Sequence, residues 1–241
     1  MREKERVIRR ADRLIAISHA TKKDLVETYA IAPDKIDVVH LAAAFGPDTC
    51  ASARLTVPGK FFLYVGERGK YKNCYFLIRA LREIFLANPG LHLVCAGGGE
   101  FTEDERAFID MLGLRGRVHW HEASNASLVA LYRDAIALLA PSLYEGFGLP
   151  VAEAFNCGCA VVASRTPALE EVGGDAALFF DAKDQSSIRE TIARVLREPG
   201  LVEELRQKSA KRAPVFSREK CARETAAVYR RVIDERLKRG G

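Results

Sequence analysis

Residues 61–73 read Phe61-Phe62-Leu63-Tyr64-Val65-Gly66-Glu67-Arg68-Gly69-Lys70-Tyr71-Lys72-Asn73. Five apolar residues without polar alternation describe a strand buried on both faces. The loop after it holds two glycines and three cations. Asn73 can then cap a helix running to about residue 87, and Asn88-Pro89-Gly90 ends it. Strand, glycine-rich loop and helix in that order form the first unit of a parallel α/β sheet, and the rest of the chain extends it.

Downstream, residues 91–96 form a second apolar run, followed by Gly97-Gly98-Gly99 and a helix near 103–111. Strands near 117–120, 136–140 and 160–163 alternate with helices to residue 134 and from Pro150 to about residue 156. A short strand near 178–180 and helices near 184–197, 200–211 and 217–238 complete the pattern. Upstream lie a charged helix over 2–11, a strand at 13–17, a helix capped by Ser18 or Thr21 and ending near Tyr29, and a strand at 36–39. Residues 42–59, small and polar with Pro47 and Pro58, read as a linker. The fold expected is α/β, a Rossmann-like doubly wound parallel sheet. Ligands in such sheets bind beyond the C-terminal ends of the strands.

The chain has 241 residues, 48% hydrophobic and 29% charged, ordinary usage for a globular protein with a real core. Lys and Arg number 37 against 32 Asp and Glu, a formal charge of +5. That balance suits an anionic small molecule and is too weak to argue for nucleic acid. No apolar run approaches the ~18 residues of a membrane span. The charged start MREKERVIRRADR lacks a signal peptide's apolar stretch, so a cytoplasmic protein is expected. The six cysteines are irregularly spaced and expected to be free thiols. Cys157 and Cys159 stand close but lack a second Cys/His pair, so no metal site is expected.

The strand-end loops carry the chemistry. After Val65, Gly66 and Gly69 let backbone approach a ligand closely, and Arg68 and Lys72 can meet phosphate oxygens. A solvated basic loop is the alternative. The glycine run around Gly98 lacks the Gly-x-Gly-x-x-Gly spacing of dinucleotide sites, and no Gly-Lys-Ser/Thr phosphate loop occurs. The loop after residue 140 reads PSLYEGFGLPVAE and sets Glu145 and Glu153 eight positions apart. Gly146, Gly148 and Pro150 forbid a helix through the interval, so Glu145 belongs to a loop and Glu153 to the first turn of the following helix. An anion at that helix start, with two carboxylates reaching hydroxyls, suits a sugar joined to a nucleotide by diphosphate. The alternatives are dipole complementation for Glu153 and an exposed loop acid for Glu145. His119 and His121 flank Trp120 and share one face of a strand, where packing or contact with a base edge is expected rather than a metal pair.

The stretch EGFGLPVAEA, residues 145–154, resembles the Glu-x7-Glu motif of the retaining glycosyltransferases of family 4, also called group 1, which have the GT-B fold. YVGERGKYKN (64–73), AGGGE (96–100), ALLAPSLYEGFG (137–148) and GCAVVASRTPALEEVGGDAALFFDAKD (158–184) agree with it. Residues 10–40 resemble the last elements of that family's N-terminal domain. Residues 40–44, His-Leu-Ala-Ala-Ala, depart from it where a glycine and a polar residue are common.

The resemblance implies a donor-binding C-terminal half of a GT-B enzyme. Residues 1–45 are then a remnant of the acceptor-side N-terminal domain, 46–59 a linker, 60–216 the nucleotide-sugar domain and 217–241 a C-terminal helix. Arg68 and Lys72 would hold the donor diphosphate, and Glu153 the ribose hydroxyls. Glu145 would contact the transferred sugar. The amides of Phe147, Gly148 and Leu149 would touch sugar and phosphate, with Gly66 and Gly98 lining the cleft. The segment around His119 would flank the base. The donor is a nucleotide-diphospho-sugar, no separate cofactor or metal is implied, and the acceptor is a glycan or a lipid-linked sugar. A lipid-linked acceptor would bring the basic N-terminus to the inner face of the membrane. Two other readings compete: a donor-binding module inactive without a missing N-terminal domain, and a nucleotide-dependent oxidoreductase, disfavoured by the absent dinucleotide fingerprint.

Overall fold

The computed structural model describes residues 2–44, 57 and 59–240, with the side chains of 2–4, 239 and 240 excepted. The reading of 46–59 as a linker therefore lies almost wholly outside the described residues.

Six parallel strands form the main sheet: β3 (Lys60–Val65), β4 (Leu91–Ala96), β5 (Val118–His121), β6 (Leu138–Ala140), β7 (Val161–Ser164) and β8 (Ala177–Phe180). Their spatial order is β5-β4-β3-β6-β7-β8. Counted from β3 this is the doubly wound order 3-2-1-4-5-6, with its reversal between β3 and β6. Phe61 to Tyr64 and all six residues of β4 are buried, as strands covered on both faces must be.

Helices coat both faces. On one side α3 (Cys74–Ala87) buries Cys74, Leu77, Ile78, Leu81 and Phe85, an i, i+3, i+4, i+7 stripe. Next to it lie α4 (Glu103–Met111) and α8 (Gln185–Arg197). On the other side α5 (Asn125–Asp134), α6 (Leu149–Asn156) and α7 (Pro167–Gly173) close a second core through Tyr132, Phe155 and Val172. α9 (Leu201–Arg212) packs beside α6. Helix α7 falls where the sequence suggested none. Its seven residues are too few to show a period, and it ends on Gly173 with Gly174 as the cap.

A separate parallel pair, β1 (Leu14–Ala16) and β2 (Ile36–Val38), carries α1 (Arg2–Arg10) and α2 (His19–Tyr29). Ser18 caps α2, its Oγ accepting from the Thr21 amide. The last helix, α10 (Arg218–Gly240), returns to this pair. Arg231 and Arg236 donate to Asp37 and Asp12 at 2.7 and 2.6 Å.

Candidate functional site

The two loops at the reversal point meet. Lys72 Nζ donates to Glu145 Oε1 at 2.7 Å, and Ser142 Oγ donates to the same oxygen at 2.7 Å. Both ionic side chains are mostly buried, 19% and 14% exposed, so solvent screens the pair only in part. Lys72 keeps two further N–H groups and Glu145 a second oxygen. A cleft lined by Tyr64, Val65, Lys72, Ser142, Glu145 and Gly148 lies between them.

Asn73 takes the N-cap position of α3, as the sequence predicts, but in a left-handed conformation, φ 61°, and without a side-chain capping bond. Its Nδ2 donates to Pro141 O at 3.1 Å and Ala182 O at 2.9 Å, which ties the two loops together. Ser164 Oγ donates to Ser142 O from the neighbouring strand end.

Helix α6 starts at Leu149, with Gly148 as its N-cap and Pro150 second. Glu153 thus lies just past the first turn, not within it, and the dipole alternative loses its ground. Gly148 has φ 103°, and a Cβ there would stand 2.5 Å from Leu169 Cδ2, so any other residue strains the backbone and displaces the Leu169 side chain. Leu149, the first residue of α6, carries one of the N-terminal amides that have no partner within the helix. Phe147 is buried, its ring packed against those of His40 and Phe216.

Arg68 sits behind the cleft rather than in it. It is 5% exposed and makes five hydrogen bonds. Two are a fork to Glu105, Nε–Oε1 at 2.7 Å and Nη2–Oε2 at 3.0 Å. The others go to the carbonyls of Gly97, Gly98 and Glu100 at 2.8, 3.2 and 3.1 Å. Burial works against the Arg68 charge, but the hydrogen bonds to Glu105 outweigh it, so the guanidinium stays charged. Burial likewise raises the Glu105 carboxyl, and its bonds from Arg68 and Thr102 more than reverse that. Arg68 therefore clamps the glycine loop after β4. Gly98, φ 68°, leaves room for the guanidinium, since a Cβ would approach Nη1 to 2.9 Å. Gly66 N donates to Ala96 O at 2.9 Å and closes the β3–β4 ladder above it.

His119 does not join this group. Its Nε2 lies 3.0 Å from His92 Nδ1 on the adjacent strand. Burial pushes both imidazoles below their usual range, so the pair is neutral at pH 7. Among the described residues no cluster of three or more His, Cys, Asp or Glu is placed to hold a metal ion.

The fold also brings to the site residues that the sequence marked only as helix caps, or not at all. Ser18 and Thr21 both donate to Gly146 O, at 2.6 and 2.9 Å, so the start of α2 grips the loop that carries Glu145. Glu171, on the unexpected helix α7, accepts from the amides of His19 and Ala20 at 2.8 and 3.1 Å and contacts His40 Nε2 at 2.7 Å. Burial would raise its carboxyl, but these bonds hold it below the ordinary range. A capping motif at Ser18 was visible in sequence. Nothing local showed that a carboxylate 152 positions away would complete it.

A doubly wound sheet whose reversal point joins a basic loop to a Glu-x7-Glu elbow presents a ligand crevice at the C-terminal ends of its strands. The profile described as glycosyl transferases group 1 matches residues 52–214, and the chain belongs to that family. It is 32% identical over 249 residues to a D-inositol 3-phosphate glycosyltransferase of Acidothermus cellulolyticus, covering 95% of this chain and 55% of that protein. An MMP alpha-(1->4)-mannosyltransferase of Mycolicibacterium hassiacum is 29% identical, with 95% and 56% covered. The chain thus spans about half the length of these curated relatives. Among solved structures, Anabaena Alr3699/HepE in complex with UDP and glucose superposes with a TM-score of 0.82 at 17% identity, covering 95% of this chain and 66% of that one. Sucrose-phosphate synthase of Thermosynechococcus elongatus gives 0.79 at 21%, covering 96% and 61%. The fold is that of the GT-B glycosyltransferases.

Proposed function

We propose that this chain is the donor half of a glycosyltransferase. It binds a nucleotide-diphospho-sugar and, with an acceptor-side domain, transfers the sugar with retention to a glycan or lipid-linked acceptor. The observation that carries this reading is the Lys72–Glu145 contact at the sheet's reversal point, beside the N-terminus of α6.

The division of labour follows from charge. Breaking the sugar–phosphate C–O bond leaves the electron pair on a diphosphate oxygen and cationic character on the sugar. Lys72 and the amides at the start of α6 stabilise the developing anion. Glu145, beside Lys72, accepts sugar hydroxyls and favours the cationic ring. The acceptor hydroxyl bonds to carbon on the face the diphosphate leaves, and its proton passes to the leaving phosphate oxygen. Arg68, held by Glu105 and three carbonyls, supports the loop from behind. Glu153 takes the ribose hydroxyls. No metal is needed where Lys and helix amides neutralise the charge. The setting proposed is the cytoplasm, at the membrane's inner face for a lipid-linked acceptor; among the described residues no helix is long and apolar enough to cross a membrane.

A second reading is a donor-binding module without turnover. A thermal-shift panel of UDP-, GDP-, ADP- and dTDP-sugars tests the proposal. One class should raise the midpoint in step with ligand excess. No shift with any of them rejects donor binding. Binding without transfer to any sugar acceptor selects the module.

A further inference from the structure

Tyr132 is wholly buried in α5, 0% exposed, within the apolar core that includes Val129, Val151 and Phe155. A phenol in such a place needs a hydrogen-bond partner. Its hydroxyl donates to Glu153 Oε2 at 3.0 Å, across the interface between α5 and α6. Glu153 is itself only partly exposed. A carboxylate with one oxygen committed to a fixed donor has its torsions set before any ligand arrives, which lowers the ordering cost of binding.

We propose that Tyr132 is the positioning residue for ribose recognition: its hydroxyl fixes the Glu153 carboxylate so that Oε1 meets the vicinal diol of a nucleoside diphosphate. This inference rests on the assignment of Glu153 to the ribose. The relationship crosses two helices and joins a residue no motif marks to one the motif does.

The environment of Glu153 supports the role. Burial pushes its carboxyl up, and the Tyr132 hydrogen bond pulls it back. The titratable and charged groups around the pair are Cys157 at the end of α6, Cys159 before β7, and Arg133 next to Tyr132. Both thiols are raised by burial, to about 11 and about 12, and stay neutral below that. Glu153 is then the group whose charge changes in the acid range.

The test is calorimetric titration of the chain and its Tyr132→Phe and Glu153→Gln variants with UDP, GDP and ADP, their 2′-deoxy counterparts, and inorganic pyrophosphate. Tyr132→Phe should weaken the ribonucleotide that binds by on the order of 10-fold. It should weaken the deoxy form much less and leave pyrophosphate unchanged. The acid limb of ribonucleotide binding should move to higher pH in Tyr132→Phe, because the carboxyl loses a donor that favours its ionised form. Should Tyr132→Phe misfold, 3-fluorotyrosine at position 132, a stronger donor of nearly the same shape, should shift the acid limb the other way. Wild-type affinity in Tyr132→Phe with weakened Glu153→Gln overturns the positioning role alone. Equal loss of pyrophosphate affinity overturns it too, since the effect is then structural. Unchanged ribonucleotide affinity in both variants, or no nucleotide binding by the wild type, overturns the ribose assignment and this inference with it.

Discussion

Arg68 and Glu105, 37 positions apart in sequence, form a two-point ion pair with side chains 5% and 11% exposed. A buried fork of this kind is a structural element whose single-partner removal is costly, because the remaining charge is stranded. Arg68→Ala should destabilise the chain by about 3–5 kcal/mol in urea unfolding. Replacing both partners with apolar residues should recover much of the loss. Unaltered stability with lost diphosphate affinity would show that Arg68 is a ligand contact after all.

The pair has a pH signature. The Glu105 carboxyl is held below its unfolded value, so its contribution is complete above the unfolded carboxylate range and vanishes as pH falls through the folded value. Glu171 has the same sign, with bonds to the amides of His19 and Ala20. Unfolding midpoints should drop below about pH 4.5, the usual Glu value, and less so in Glu105→Gln and Glu171→Gln. Parallel acid limbs in all three proteins would refute the assignment.

Lys72 lines the cleft, paired with Glu145 at 2.7 Å. Lys72→Ala should weaken nucleoside diphosphate binding by ~1.5–3 kcal/mol, the range for a charged hydrogen bond. Titration heats equal to wild type would remove Lys72 from the phosphate site. Glu145→Ala should flatten discrimination among donors that share a base but differ in sugar. A variant as selective as the parent would reject the sugar contact.

The start of α2 holds the Glu145 loop through Gly146 O, with Ser18 and Thr21 as donors. Removing both hydroxyls, in Ser18→Ala with Thr21→Val, should speed amide exchange in residues 144–148 with little change at β4. Protection equal to wild type in the loop would show that the grip is incidental.

Gly148→Ala places a side chain at φ 103° and against Leu169. A cost of roughly 1–3 kcal/mol is expected from the backbone conformation alone. A fully stable variant that binds donor normally would mean the elbow tolerates rearrangement.

Much of this was legible in local pattern. Apolar runs such as 61–65 and the glycines after them define parallel strands and their loops, since burial on both faces and turn conformation act over a few residues. The Glu-x7-Glu spacing likewise marked the elbow before any coordinates. Less legible was α7, too short for periodicity, and with it Glu171. The sequence reading starts α6 at Pro150, one position late, because Gly148 takes the cap and Leu149 the first helical position, which leaves Glu153 beyond the first turn.

The succession of strands along the chain and the loops at their ends follow from the sequence alone, because hydrophobic periodicity and turn chemistry are short-range; the family follows from the resemblance carried by residues 145–154 and the stretches around them. Only the tertiary structure decided that Arg68 turns inward to Glu105 while Lys72 faces Glu145, that Tyr132 reaches Glu153, and that α2 seats on Gly146. A charge or hydroxyl takes its partner from whatever the fold brings within about 3 Å. No neighbour along the chain announces which one that will be.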